Sequence, residues 1–258
     1  MPDVSARVRE LRALDNLSLG DTIIHRLHPL VKLIITVVFI VVVASFNRYA
    51  FVSLTPYLFY PFILMALAEL PYTVVGARVL VALPFCLFAG IGNVFFDRDP
   101  AFTLGSLTVS LGVLSLATIL LKMYLCVMAA LILVATTPFT DLTFQLRRLK
   151  VPMIFIMVFE MTYRYIGVLF EEVRAIITAY RLRSGATKGP HITHAGSFLG
   201  QLTVRALDRA ERVHVAMRCR GYSLRASDRP KRPLRASEII ALVLVCLAII
   251  GLRFFTIG

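Results

Sequence analysis

The sequence predicts an all-α integral membrane protein, with about five transmembrane helices and a cytoplasmic region of two long helices that each end in arginine. Apolar residues make up 58% of the 258 residues and charged residues 17%, against roughly 45–50% and about 25% in soluble domains. The apolar residues are gathered in long runs of the length that a bilayer requires. The net charge is nevertheless +13, and most of it lies in one stretch between two of these runs.

Five apolar runs are candidate spans, because about 20 mostly apolar residues cross a bilayer. They cover residues 30–46, 50–70, 79–96, 112–136 and 238–255. The second run contains Pro56 and Pro61, where we expect a kink and not a break, since neighbouring helices can satisfy the carbonyls that proline frees. Residues 101–111 mix small, polar and apolar side chains and give no assignment.

Residues 141–235 carry most of the positive charge, with 18 Lys and Arg against 7 Asp and Glu, a net of +11. Basic loops stay in the cytoplasm. Counting spans outward from this stretch places the N-terminus inside and both the acidic loop at 97–99 and the C-terminus outside. The chain then divides into an N-terminal tail with four spans (1–136), a cytoplasmic region (137–235) and a last span (236–258).

Two helices are predicted within the basic region. Residues 152–170 are very apolar but include Glu160 and Arg164, four positions apart, which is a helical pairing distance. Because charges in lipid are costly, we expect a helix at the inner interface or packed on other spans, with a sixth span as the alternative. Residues 199–220 form the second helix, and 185–190 is the linker. The apolar stripe of this second helix consists of Leu202, Ala206, Ala210, Val213 and Met217.

The two basic helices end alike. The first finishes AYRLRSG and the second AMRCRGY, so that Arg183 and Arg220 are equivalent at an offset of 37 residues. Cations in a last turn complement the helix dipole, and a following glycine provides a left-handed cap. Such endings are commonly structural only. A guanidinium held at a helix tip also fits an acidic groove on a partner, and the repetition on successive helices favours this interpretation.

Nucleotide, metal and cofactor sites are not predicted. The sequence lacks the G-x-x-x-x-G-K-[ST] phosphate loop, so we expect no ATP hydrolysis by this chain alone. Its cysteines form no C-x-x-C pair, which argues against a disulfide framework, structural zinc or an iron–sulfur site. His25 with His28, and His191 with His194, are each about one helical turn apart. Neither pair has a carboxylate or thiol nearby in the sequence, so we do not assign them as ligands.

Three other functional classes fit the sequence less well. Glu171 and Glu172 are adjacent and do not face one another on a helix, so no acid pair indicates an enzyme. The basic residues of 141–235 are interleaved with acids and apolar stripes, which disfavours a polybasic tail for nucleic acid or lipid headgroups. A self-sufficient secondary transporter would carry mid-span charges and paired repeats. Lys122 is the clear mid-span charge, and this class is kept as an alternative.

Four stretches resemble the transmembrane T component of energy-coupling-factor transporters, in its cobalt- and nickel-type branch. They are IHRLHPLVKL at 24–33, TTPFTDL and LRRLKVP within 136–152, YRY at 163–165, and RAERV, AM and RGY within 209–222. His28 and Leu30 stand where the family usually has Asp and Arg. The two arginine endings resemble the family's paired three-residue signatures, with Leu182 and Cys219 in place of the usual Ala.

The resemblance implies a non-catalytic subunit of an ATP-driven importer in the bacterial cytoplasmic membrane. Two cytoplasmic ATP-binding-cassette ATPase subunits would bind the two Arg-tipped helices, and a separate membrane subunit would bind cobalt or nickel ions. A vitamin system is the alternative, because the residues that select the substrate lie in another chain. The implied ATPase contacts are Leu182, Arg183, Ser184, Cys219, Arg220 and Gly221, with Gly185 and Tyr222 shaping the helix ends and Ala179, Arg181, Glu211, Ala216, Met217 and Arg218 supporting them.

Overall fold

The computed structural model describes residues 20, 22–96, 100–104, 107–147, 149–185, 195–222 and 234–257. These residues form two compact units. The membrane unit comprises the described residues within Leu14–Leu142 and Pro233–Gly258, and the basic unit comprises those within Thr143–Arg232.

The membrane unit contains most of the apolar helices. They are α1 (Ile23–Arg26), α2 (Pro29–Ala44), α3 (Phe51–Leu54), α4 (Phe59–Ala68), α5 (Tyr72–Phe96), α6 (Leu111–Thr136) and α10 (Ala236–Ile257). A short helix, α7 (Phe139–Leu146), lies across the boundary of the two units in the sequence. The basic unit contains α8 (Met153–Ser184) and α9 (Ala195–Cys219). Helix α8 continues from the apolar segment 152–170 to the predicted arginine ending, and α9 begins four residues before the predicted start at 199.

The second predicted span contains a local change of helix type at its first proline. Residues Thr55–Leu58 form a 3-10 turn that joins α3 to α4, and Pro56 lies in the first two positions of that turn. Proline has no N–H to donate, so the tighter turn accommodates it without breaking the helical path. The expected departure from a regular helix is therefore present at Pro56, while Pro61 is buried within α4.

The unassigned segment between α5 and α6 is a short antiparallel hairpin. Strands β1 (Pro100–Leu104) and β2 (Leu107–Ser110) pair with Leu104 opposite Leu107. The Oγ of Ser110 then accepts a hydrogen bond from the Val113 N–H at 3.4 Å and caps α6. The acidic residues at 97–99, expected outside the membrane, lie outside the described residues.

Helix α6 is the centre of the membrane unit, and residues from it belong to both of its buried apolar clusters. Met128 and Ile132 pack with residues of α4 and α5, whereas Leu125 and Ala129 pack with residues of α2, α3 and α10. Small polar side chains also lie on this helix: Thr118 is buried, and its hydroxyl donates to the Leu114 carbonyl at 2.8 Å. A transmembrane helix that is covered on several sides accommodates such groups because its own backbone satisfies them.

The outer faces of the membrane helices are strongly apolar. On α5, Phe85 is 77% exposed and Phe88 is 85% exposed, with Leu80 and Val81 beside them. A water-soluble protein seldom exposes a contiguous apolar surface of this kind. With the helix lengths, these faces identify an integral membrane protein.

Five helical segments of the described chain are long and apolar enough to cross a membrane, as predicted, but they are not the same five. They are Phe51–Ala68, Val75–Val94, Leu111–Thr136, Met153–Arg183 and Ala236–Phe254. The predicted first span is the shorter apolar helix α2, whose 16 residues extend about 24 Å. The α8 segment is also apolar enough, because the first half of this 32-residue helix is strongly apolar. Its second half is charged.

Helices α2 and α10 lie side by side and point in the same direction. At their N-terminal ends the His28 N–H donates to Glu238 Oε1 at 3.2 Å. At their C-terminal ends Arg253 donates to the Ser45 Oγ at 2.9 Å. The C-terminus of α6 lies at the first of these two ends, because Lys32 reaches the Thr136 carbonyl. The end of α6 and the start of α10 are therefore at the same end of the membrane unit.

Candidate functional site

Helix α9 ends in a Schellman turn that places Arg220 at its tip. The Tyr222 N–H donates to the Met217 carbonyl at 3.0 Å, and the Gly221 N–H donates to the Arg218 carbonyl at 2.9 Å. These are the two bonds that define this C-terminal motif. Gly221 has φ of 70°, a left-handed conformation that residues with a Cβ rarely adopt. Arg220 is exposed.

Helix α8 ends in a second left-handed glycine. Gly185 has φ of 60°, and Arg183 lies in the last turn before it with its side chain exposed. Leu182 is 81% exposed. Ala179 and Arg181 are exposed as well. Nearly the whole last turn of α8 is thus available for contact.

Two ion pairs connect α8 to α9. The Glu172 carboxylate of α8 accepts hydrogen bonds from Arg205 of α9 through Oε1 and lies 3.6 Å from Arg209 Nη2 through Oε2. One carboxylate thereby bridges two arginines spaced one helical turn apart. This bridge is not among the contacts predicted from the sequence. The spacing of Arg205 and Arg209 is the available sequence signal, since it places both on one face of α9.

An apolar groove of about 390 Å³ lies between α8 and α9. Met157 and Met161 of α8 and Val213 and Met217 of α9 are among its lining residues. Near the end of α9, Arg164 of α8 borders the same surface as Arg220, whereas Glu172, later in α8, pairs with Arg205, earlier in α9. Residues later in α8 thus pair with residues earlier in α9, so the two helices are antiparallel. Four of the five residues of the predicted α9 stripe line this groove: Ala206, Ala210, Val213 and Met217.

A second groove of about 560 Å³ lies at the tip of α9. Arg220 and Tyr222 of α9 line it together with Arg164 of α8. Two guanidinium groups therefore border one concave surface, an arrangement suited to carboxylates of a partner. Arg183 lies 19 residues beyond Arg164 in the same helix, which corresponds to about 28 Å at 1.5 Å per residue. The two arginine tips are at opposite ends of the antiparallel pair.

The histidines near α2 have structural contacts. His28 is fully buried, and its Nδ1 accepts a hydrogen bond from the Leu30 N–H at 3.2 Å, which caps α2. The Nδ1 of His25 lies 2.6 Å from the Thr22 hydroxyl. Across the described ranges no three His, Cys, Asp or Glu side chains are grouped as metal ligands would be. His191 and His194 lie outside the described residues.

Comparison with known families gives a match over most of the chain. A family model described as CbiQ, cobalt transport protein, matches residues 20–233.

Curated relatives agree with this family. The chain is 34% identical to the cobalt transport protein CbiQ of Rhodobacter capsulatus over 119 residues, which are 46% of this chain and 49% of that protein. It is 32% identical to a putative fused cobalt transport protein CbiMQ of Methanocorpusculum labreanum over 161 residues, 61% of this chain and 26% of the relative. Over 257 residues it is 25% identical to the energy-coupling factor transporter transmembrane protein EcfT of Clostridium kluyveri, with 90% of this chain and 93% of the relative aligned. The chain thus matches about half or less of the length of the first two relatives and nearly all of the third.

Proposed function

Because the chain belongs to the CbiQ cobalt transport protein family, we propose that it is the coupling subunit of an energy-coupling-factor-type importer. In this proposal α8 and α9 each bind one cytoplasmic ATPase subunit, through Arg183 and Arg220 respectively. A separate membrane subunit binds the substrate and changes orientation as the ATPases close. The observation that carries the proposal is the antiparallel pair of helices, each ending in an exposed arginine before a left-handed glycine.

The separation of the two tips favours two partner molecules over one. Arg164, which borders the same groove as Arg220, is about 28 Å from Arg183 along the axis of α8, too far for one carboxylate groove to bind both tips. The antiparallel arrangement presents two similar helix ends facing opposite directions, which suits two copies of a similar ATPase. The groove between the helices is mostly apolar and is lined in part by three methionines, so it is suited to an apolar helix of the substrate-binding subunit.

The helix ends of the membrane unit support a cytoplasmic location for the Arg-tipped pair. The end of α6 and the start of α10 lie at one end of that unit, so the chain between them crosses the membrane an even number of times. Helix α9 contains four arginines, Asp208 and Glu211 and is too polar to cross the membrane. Because the number of crossings must be even, α8 does not cross it either. The positive-inside rule then favours a cytoplasmic location for 141–235 in a bacterial cell.

Cobalt is the substrate that this proposal favours, because the family and two of the relatives are named for cobalt transport. A nickel or vitamin importer is the alternative. A self-sufficient transporter is less favoured, because the mid-span Lys122 donates to the Phe46 and Ala44 carbonyls at the end of α2. The Lys122 ammonium group therefore lies at the C-terminal end of α2, where a cation is stabilising.

The test is co-purification with the two ATPase subunits of the complex. An arginine in a last turn contributes about 0.3–1 kcal/mol to its own helix, whereas removing one partner of a charge pair buried in an interface costs about 2–5 kcal/mol of binding, because the other charge is left unpaired. Arg183→Glu and Arg220→Glu should therefore leave expression near normal, weaken ATPase association and abolish uptake, with the double variant most severe. Lysine at both positions should rescue only in part, because it lacks the planar fork of donors.

Matched controls are available on the same helix ends. Arg181→Glu and Arg218→Glu change the same charge two residues earlier, about 200° around the helix, and should retain most of the association. Normal assembly and uptake by the double Arg183/Arg220 variant would show that both arginines are ordinary helix caps.

A further inference from the structure

A buried lysine joins the first apolar helix to the last residue of α6. Lys32 is 8% exposed, and its Nζ donates to the Thr136 carbonyl at 2.8 Å and to the His25 carbonyl at 3.3 Å. Thr136 is the last residue of α6. Lys32 therefore contacts the position at which the chain leaves the membrane helices for residues 137–237.

A buried glutamate joins the same helix to the start of α10. Glu238 is 7% exposed, and its Oε1 accepts from the His28 N–H at 3.2 Å while its Oε2 accepts from the Arg235 N–H at 3.1 Å. Arg235 immediately precedes α10. Glu238 therefore contacts the position at which the chain returns to the membrane unit.

These contacts form one polar cluster, which we call the anchor: His28, Lys32, Thr136 and Glu238. Burial of a formally charged side chain is costly unless the side chain is hydrogen-bonded. Lys32 and Glu238 are both hydrogen-bonded here. Main-chain carbonyls and N–H groups take part in the bonds, so the anchor fixes the backbone itself. Both ends of the segment 137–237 are consequently attached to the N-terminal turn of α2.

We propose that the anchor transmits movement of the Arg-tipped pair to the membrane helices, with Lys32 and Glu238 as positioning residues. This inference rests on the proposed coupling function. The chain connects α8 and α9 to the end of α6 at Thr136 and to the start of α10 after Arg235. If those two points were free to shift, the connecting backbone would absorb a displacement of α8 and α9. The anchor holds them against α2, so that α2, α6 and α10 move together.

The experiment uses the complete complex, with both ATPase subunits and the substrate-binding subunit, in proteoliposomes supplied with radioactive Co²⁺ and ATP. Lys32→Met and Glu238→Gln should leave ATPase association and ATP hydrolysis within about twofold of the unsubstituted complex. The amount of Co²⁺ taken up per ATP hydrolysed should fall by at least about fivefold, the lower range of typical coupling effects. Lys32→Arg should restore most of this ratio because it retains a cation with N–H donors.

Lys122→Met is the matched control, since Lys122 also donates to carbonyls at an end of α2, but at the end away from the anchor. It should lower thermal stability while the uptake-to-hydrolysis ratio stays near that of the unsubstituted complex.

Two outcomes would overturn the proposal. One is a normal ratio in Lys32→Met and Glu238→Gln complexes whose thermal stability is reduced, which would make the anchor purely structural. The other is failure of both variants to assemble, which would assign the cluster to folding. A failure of the coupling function is distinguishable, because the unsubstituted chain would then not bind the ATPases.

Discussion

At Gly221 the lack of a Cβ decides how the tip of α9 is presented. Its φ is 70°, and a Cβ built at this position would meet no atom within 4 Å. Glycine is therefore required for its backbone conformation, and not because a neighbouring atom leaves no room for a Cβ. Because the turn orients Arg220, a change at Gly221 should act on partner binding as well as on stability.

Gly221→Ala should destabilise the protein by about 1–2 kcal/mol, the cost of a left-handed residue with a Cβ. Gly221→Asn should cost less, since asparagine tolerates this conformation. Gly167→Ala is the control, because Gly167 is inside α8 and a Cβ there also meets open space; alanine should be neutral or stabilising in that position. Thermal unfolding in detergent and ATPase association measure both effects. Equal behaviour of the two alanine variants would contradict the role of the turn.

At the scale of elements, α8 and α9 face each other across an apolar groove and are bridged by one acidic side chain. Glu172 is 21% exposed, whereas Arg205 is 54% and Arg209 is 40% exposed. Ion pairs whose side chains are this exposed to solvent contribute only about 0.2–1 kcal/mol to folding stability. The bridge therefore fixes the orientation of the two helices more than it stabilises them.

Glu172→Gln should lower the stability of the full chain by no more than about 1 kcal/mol. The loss should shrink as salt rises from about 50 mM to 500 mM, because ions screen exposed charges. A double-mutant cycle with Arg205→Gln isolates the pair, and Glu171→Gln changes the exposed neighbouring carboxylate as a control. Thermal unfolding in detergent at the two salt concentrations provides the measurement. A loss that does not depend on salt would show that Glu172 acts by packing alone.

At the scale of the whole molecule, the proposed topology places both arginine tips in the cytoplasm. Cys219 is exposed beside Arg220, whereas Cys86, Cys126 and Cys246 are partly buried. The native sequence thus carries a thiol at one of the proposed ATPase contacts.

Cys219 should react with a membrane-impermeant maleimide in inside-out vesicles and not in intact cells. Binding of the ATPase subunits should protect it, because they would cover the tip of α9. Cys219→Ser identifies the labelled site, and Arg98→Cys, in the loop predicted to lie outside, should show the opposite pattern. Mass spectrometry of the labelled protein gives the readout. Labelling of Cys219 from outside intact cells would reverse the topology.

Local properties of the sequence determined the membrane class, the positions of most apolar helices and the repeated arginine endings. Composition, hydrophobic runs and helix-cap residues act over a few turns of helix, so they can be read without a fold. The same reasoning placed the basic charge of 141–235 between two spans. The sequence predicted neither the contact of Lys122 with the C-terminal end of α2 nor the pairing of strands β1 and β2.

Only the tertiary structure decided which helix ends meet. Lys32 bonds to a carbonyl 104 residues away, and Glu238 bonds to an N–H 210 residues away. The antiparallel order of α8 and α9 and the bridge through Glu172 likewise depend on residues distant in sequence. Such pairings have no local pattern, because a buried polar side chain is stabilised by whichever partner the fold supplies. The sequence thus specifies the two arginine tips, while the fold determines their opposite directions and the anchoring of their connections to α2.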